Sequence, residues 1–124
     1  MVDEFSRRAI PRIAHRAKQK HVPFSLTIFD IKMMMVEQNY RCAVSGIEFP
    51  IDRVAISELR AFRPSIDRIE PKLGYVPGNV RVVCEIVNTA MNEWGEHALI
   101  GLVEQMATHL ATRMAHRSGK AINY

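Results

Sequence analysis

The sequence predicts a small α+β fold, in which two short strands and one helix are flanked by a helix at each end of the chain. Apolar residues recur at helical spacing near both ends. Between them, residues 65–83 hold two short segments typical of strands, separated by a stretch dense in turn-forming residues. The length of 124 residues indicates one domain over residues 1–124.

The composition excludes a membrane-spanning chain and points to a basic surface. No apolar run reaches the roughly 18 residues that a span requires, and the acidic N-terminus lacks an apolar signal segment. We therefore expect a cytoplasmic protein without a membrane partner. The net charge is +4, and residues 1–21 hold six basic and two acidic side chains. Such an arm suits a polyanion, or equally a solvated helix face.

The first two elements are predicted to be helices. A basic N-terminal helix over residues 1–22 would bury Ile13 and Ala17, with Pro11 in its first turn. The second helix, residues 28–38, begins after a capping box that starts at Thr27. Asn39 is a residue that readily ends a helix in the left-handed conformation.

The remaining elements alternate between short strands and helices. Residues 41–49 read as a hairpin turning at Ser45-Gly46, and residues 50–64 as a loop. Strands are expected at 64–69 and 79–83, then a helix over 85–92. The last helix covers 96–115, and the tail from Arg117 is expected to fray. Its apolar face suits a core or a dimer, so the oligomeric state stays open.

Three polar residues stand out in the strand–strand–helix unit. Asp67 lies in the first strand, Asn79 opens the second, and Asn88 lies on the helix that follows. Carboxylate and amide oxygens are hard ligands, which suit Mg²⁺ or Mn²⁺. A site with two protein ligands leaves room for water and a phosphate oxygen, an arrangement that suits phosphodiester cleavage.

Four motifs in this order resemble the signature of the HNH endonuclease family: Ser65-Ile66-Asp67-Arg68-Ile69, Gly74-Tyr75, Gly78-Asn79-Val80, and Cys84 with Asn88 four residues later. Residues 23–49 also resemble the lead-in of phage-type members. The resemblance implies a ββα-metal core over residues 65–92 with flanking helices. It also implies a DNA endonuclease or nickase, dependent on Mg²⁺ or Mn²⁺, that acts on double-stranded DNA.

The family's site residues carry over with one departure. Asp67 and Asn88 resemble the metal ligands, and Asn79 resembles the asparagine that braces the loop and orients the general base. The position of that base holds Arg68, which cannot be deprotonated in a protein but can clamp a phosphate. Three outcomes stay open: binding without turnover, a base supplied by Glu70 or His97, or slow cleavage with Arg68 on the phosphate.

Two other classes of function remain alternatives. One is a catalytically degenerate DNA-binding protein on the same scaffold. The other is a structural or protein-binding domain in which Asp67 and Asn88 only brace loops. For either DNA-directed function, seven basic residues are expected to track the phosphate backbone: Arg7, Arg8, Arg12, Arg16, Arg63, Lys72 and Arg81.

The two cysteines bear on a structural metal. Many HNH proteins hold zinc with two C-x-x-C pairs, but here Ser45 follows Cys42 and Val87 follows Cys84 at the second positions. Two thiolates are too few for a tetrahedral structural site. We therefore predict no structural zinc and two buried thiols that lie close together.

Overall fold

The computed structural model describes residues 2–50 and 57–122, with the side chains of residues 4–50 and 59–117. The predicted α+β class is confirmed, because the helices accompany one two-stranded antiparallel sheet. The chain divides into two compact units, Met1–Thr89 and Ala90–Tyr124, which are described separately below. The single-domain expectation stays a prediction.

The first helix, α1, spans Val2–Lys20 and contains Pro11 in its interior. The prediction that Pro11 lies in a first turn is wrong. Proline removes one helical hydrogen bond and crowds the preceding turn, but burial of a continuous stripe against α2 favours an unbroken helix. That stripe consists of small and apolar side chains: Ser6, Ala9, Ile13 and Ala17.

The second helix, α2, spans Ile28–Glu37 and begins as predicted. The backbone N–H of Asp30 donates to Thr27 Oγ1 at 3.2 Å, and the N–H of Thr27 donates to Asp30 Oδ2 at 2.8 Å. This reciprocal pair satisfies two N–H groups that the helix itself leaves without partners. After the helix, Asn39 adopts a left-handed φ of 55°, as predicted.

The segment after α2 forms a hairpin reduced to one bridge. Arg41 and Glu48 pair as a single antiparallel bridge, and Gly46 turns the chain with a φ of 75°. Of the predicted loop over residues 50–64, residues 51–56 lie outside the described part. The loop then contains a 3₁₀ helix over Ser57–Phe62.

The sheet consists of β1, Pro64–Arg68, and β2, Val80–Cys84. Their antiparallel register sets Ile66 opposite Val82 and Asp67 opposite Arg81. Ile66 and Val82 are buried, and α1 and α2 contact β1 and β2 respectively. Because β1 alternates its side chains, Asp67 lies on the face opposite Ile66.

A short helix, α3, spans Glu85–Met91 and follows β2 without a loop. It completes the strand–strand–helix order that the sequence predicts for residues 65–92. Asn88 lies within the part of α3 that belongs to the first unit.

In the second unit, α4 spans Gly95–Ile122. The helix therefore extends beyond residue 115, and the expected fraying from Arg117 is wrong. Residues 115–121 include four strong helix formers, Ala115, Arg117, Lys120 and Ala121, which favour its continuation. None of the described helices combines the length and apolar character needed to cross a membrane.

Candidate functional site

Asp67 lies directly across the sheet from Arg81, and the two side chains form an ion pair. Arg81 Nε donates to Asp67 Oδ2 at 2.9 Å, and the side chains are only 24% and 15% exposed, respectively. The charge of the expected metal ligand is therefore balanced by a guanidinium. The expected role of Arg81 in contacting DNA stays a prediction.

Asn88 reaches the same face of β1 from α3. Its Nδ2 donates to Ser65 Oγ at 2.8 Å and to the carbonyl oxygen of Ile66 at 3.4 Å. Ser65 and Asp67 are two residues apart in a strand, so their side chains share one face. The fold thus brings Asn88 and Asp67, which are far apart in sequence, to one side of the sheet.

Part of this donor set is already engaged within the protein. The Asp67 carboxylate already accepts a charged hydrogen bond from Arg81, and the Asn88 amide is oriented by its bonds to β1. A bound cation would have to lie beside the guanidinium of Arg81. Within the described residues, no group of three or more His, Cys, Asp or Glu is placed to hold a metal.

Asn79 braces the loop that joins β1 to β2. Its Oδ1 accepts from the backbone N–H of Glu70 at 3.0 Å, and its Nδ2 donates to the carbonyls of Glu70 at 2.9 Å and Gly74 at 2.7 Å. The residue is 6% exposed. Asn79 therefore ties the two ends of the loop together, and its expected role in orienting a general base stays a prediction.

The same loop is fixed from outside by the segment before α2. The backbone N–H of Tyr75 donates to the carbonyl of Pro23 at 2.8 Å, and the N–H of Ser25 donates to the carbonyl of Tyr75 at 3.0 Å. Gly74 has a φ of 78°, and a Cβ there would overlap the Pro23 carbonyl oxygen. Loop and segment are therefore in close backbone contact.

Arg68 ends β1 at the edge of this loop and presents a fixed cation. Its Nη1 donates to the carbonyl of Pro71 at 3.0 Å, and its guanidinium lies over the Tyr75 ring, 5.1 Å from the centroid. Tyr75 itself is buried, with 3% of its surface exposed. Arg68 therefore contributes a positive charge in a fixed orientation, and its guanidinium cannot act as a proton acceptor.

The two suggested replacement bases differ in their placement. Glu70 is exposed and offers its backbone N–H to Asn79. His97 lies on α4 in the second unit. Within the described part of the first unit, no hydrogen bond or ion pair joins the Glu70 side chain to Asp67 or Asn88. A substitute base at Glu70 or His97 stays a prediction.

A row of cations runs along α1 toward Arg68. Its members recur every fourth residue, so they lie on one side of the helix beside the buried stripe; we call Arg8, Arg12, Arg16 and Lys20 the cationic row. Arg8 pairs with Glu4 at 2.6 Å. Within the described residues, no ion pair joins Arg12, Arg16 or Lys20 to a carboxylate.

Chain connectivity places the end of the cationic row near the site. Lys20 lies three residues before Pro23, whose carbonyl accepts from the backbone of Tyr75, and the Arg68 guanidinium lies over the Tyr75 ring. Partial burial lowers the pKa of the Lys20 ammonium group, and the charges of Arg68 and then Arg16 lower it further. These Coulombic contributions agree with the placement of Lys20 close to Arg68.

The other expected DNA contacts are dispersed. Arg7 is exposed on α1 and lies off the cationic row. Arg63 is exposed and lies 3.5 Å from a carboxylate oxygen of Glu85. Lys72 is exposed in the 3₁₀ turn Pro71–Leu73.

The two cysteines lie together, as predicted, and both are free and buried. Cys42 Sγ accepts from the backbone N–H groups of Ser45 and Cys84, each at 3.3 Å. Burial opposes ionisation of Cys42, but the hydrogen bonds from Ser45 and neighbouring backbone groups outweigh it and lower its pKa. Burial raises the pKa of Cys84 to about 11. The expectation of no structural zinc stays a prediction.

Two residues of the site escaped the sequence prediction. Lys20 was counted in the basic arm without a site role, although its spacing of four from Arg16 is a readable signal. Ser65, the partner of Asn88, gave no signal, because its contact depends on how α3 packs against β1.

Comparisons of the chain with protein-family models, curated proteins and solved structures gave no match.

Proposed function

We propose that this chain binds double-stranded DNA through its phosphate backbone, on a scaffold that resembles the HNH nucleases. The observation that carries the proposal is the cationic row, whose C-terminal end lies three residues before Pro23, the backbone partner of Tyr75 beneath Arg68. The residues that would bind are Arg12, Arg16 and Lys20, with Arg68 at the end of the row.

The dimensions of the row suit a DNA strand. The row covers twelve residue steps, which at about 1.5 Å per residue extend over roughly 18 Å. A strand of duplex DNA carries one phosphate per about 3.4 Å of helix axis. The row therefore spans about five phosphates of one strand.

The energetics also favour a polyanion. Partial burial lowers the pKa of Lys20 most, and repulsion by Arg68 and then Arg16 lowers it further in the free protein. A phosphate placed among them turns this repulsion into attraction and releases counterions from the DNA. Such contacts provide affinity and orientation without a choice of sequence.

The binding test compares two double variants that each remove two charges from α1. The first variant, Arg12→Gln with Arg16→Gln, removes two charges of the cationic row. The second variant, Arg7→Gln with Lys18→Gln, removes two charges outside the row. Fluorescence anisotropy with a labelled duplex should show an affinity about tenfold weaker for the first variant than for the second. Equal losses in both variants would contradict the proposal.

Metal-dependent hydrolysis is the second candidate, favoured by the bracing geometry of Asn79 and by the shared face of Asp67 and Asn88. The test is plasmid nicking with Mg²⁺ or Mn²⁺ by the wild type, Asp67→Ala and Asn88→Ala. Nicking that both substitutions abolish would support hydrolysis. Nicking that survives both, or is absent from the wild type, would leave DNA binding alone.

Asp67→Ala removes the carboxylate that pairs with Arg81 across the sheet. Because this loss can destabilise the protein, the stability of the variant must be checked. Thermal unfolding of Asp67→Ala and Asn88→Ala is therefore measured beside the assay. Asn88→Ala removes hydrogen bonds to Ser65 and Ile66 but keeps the Asp67–Arg81 pair. Loss of nicking in a folded Asn88→Ala would assign the loss to the site itself.

A further inference from the structure

The helix α4 exposes a row of large apolar side chains. Met106 is 58% exposed and Leu110 is 48% exposed. Exposed apolar rows of this length are costly in water and usually mark a surface that binds a partner. The residues of the row are Leu99, Leu102, Val103, Met106, Leu110 and Met114, of which Leu99 alone is half-buried.

The spacing of this row is that of a helix-pairing seam. Leu99, Val103, Met106 and Leu110 are separated by four, three and four residues, which places them at the a and d positions of a heptad repeat. The next positions of the same repeat hold Glu96 before the row and Arg113 after it. The seam is therefore apolar in the centre, acidic at one end and basic at the other.

This charge order selects both the partner and the orientation. A second copy in antiparallel orientation would set Leu99 opposite Leu110 and Val103 opposite Met106, and each Glu96 opposite an Arg113. A parallel second copy would instead set Glu96 against Glu96 and Arg113 against Arg113, which is unfavourable. The row is thus complementary to itself in one orientation.

We propose that α4 pairs antiparallel with α4 of a second copy of this chain, through the seam Leu99, Val103, Met106 and Leu110. Glu96 of each copy faces Arg113 of the other. The pairing is independent of the DNA-binding proposal, because none of its residues belongs to the cationic row or to the braced loop.

The test measures the mass of the full chain by sedimentation over a dilution series. The wild type should shift from the mass of two chains to that of one on dilution. Met106→Glu should weaken the dimer about a hundredfold, because it buries a carboxylate in the seam. The matched control is Gln105→Glu, which adds the same charge one residue away on an exposed position outside the seam.

A charge exchange tests the orientation. Glu96→Arg and Arg113→Glu should each weaken the dimer, and the two together should restore it, because the opposite charges then face each other again. Circular dichroism checks that the variants keep the helix. A wild type that stays monomeric, equal effects of Met106→Glu and Gln105→Glu, or a double variant without recovery would overturn the proposal.

Discussion

Asn79 holds the loop of the candidate site with a single side chain. Its amide makes three hydrogen bonds to the backbone of Glu70 and Gly74 while almost fully buried. The sequence predicts this bracing role from the resemblance alone. The partners themselves follow from the closed conformation of the loop, which no local pattern specifies.

Replacing Asn79 by alanine should therefore cost stability. Three backbone groups would lose a partner, and we expect the free energy of unfolding to fall by about 3 kcal/mol. Urea denaturation measures this change. Asn88→Ala is the comparison, with an expected loss of about 1 kcal/mol, since its bonds are only partly buried. Equal losses would show that Asn79 does not brace the loop.

The role of Arg68 can be predicted from the sequence, but its contacts cannot. The sequence indicates that position 68 lacks a base and can clamp a phosphate. It does not indicate that the guanidinium lies over Tyr75 and donates to Pro71. Those contacts depend on the pairing of Tyr75 with the Pro23 segment, which is distant in sequence.

At the scale of elements, the two glycines of the β1–β2 loop differ in their surroundings. Gly74 has φ 78° and ψ −162°, a conformation that is essentially restricted to glycine. A Cβ there would also overlap the Pro23 carbonyl. Gly78 has a φ of 85°, and a Cβ there would meet no atom within 4 Å.

We expect Gly74→Ala to lower the free energy of unfolding by about 3 kcal/mol or more, since strain and overlap add. Gly78→Ala should cost about 1 kcal/mol, from the left-handed conformation alone. Thermal or urea unfolding of the two variants measures the difference. A Gly74→Ala variant as stable as Gly78→Ala would contradict the close contact between the loop and the Pro23 segment.

The end of α1 offers a second matched pair, Lys20 and Lys18. Both lie in the last turn, and the pKa of Lys20 is lowered by burial and then by the charges of Arg68 and Arg16. A lowered pKa means that the fold disfavours the charged form. Lys20→Gln should therefore stabilise the free protein relative to Lys18→Gln, while weakening its affinity for DNA.

The sign of the pH dependence follows from the same shift. Below the lowered pKa, Lys20 is charged in both the folded and the unfolded state. The destabilisation of the folded state by this charge is then fully present. This destabilisation disappears as the pH rises toward 10.5, the unperturbed value. The stability gap between Lys20→Gln and the wild type should narrow over that interval. A gap that widens, or a wild type more stable than Lys20→Gln at neutral pH, would contradict this account.

The boundaries of the helices follow only in part from local sequence patterns. The capping box at Thr27 predicts the start of α2, because the signal is local. The interior position of Pro11 and the continuation of α4 to Ile122 were missed. In α1, burial of a continuous stripe outweighs the local preference of proline, and such tertiary effects are not visible in a short window.

At the scale of the whole molecule, the proposed DNA-binding surface combines charged residues that are far apart in the sequence. Arg16 lies one helical turn before Lys20, whereas Arg68 is about fifty positions away and is brought near Lys20 only by the fold. The sequence predicts a basic arm and an unusual arginine in the motif. Their convergence into one surface needs the packing of α1 against β1.

The most direct measurement is the salt dependence of duplex DNA binding, for the wild type and for Arg12→Gln with Arg16→Gln. Each phosphate contact contributes about 0.9 to the slope of log affinity against log salt concentration. The account predicts a steep wild-type slope that falls by about 1.8 in the double variant. An unchanged slope, or no salt-dependent binding by the wild type, would contradict the claim that the cationic row binds the DNA backbone.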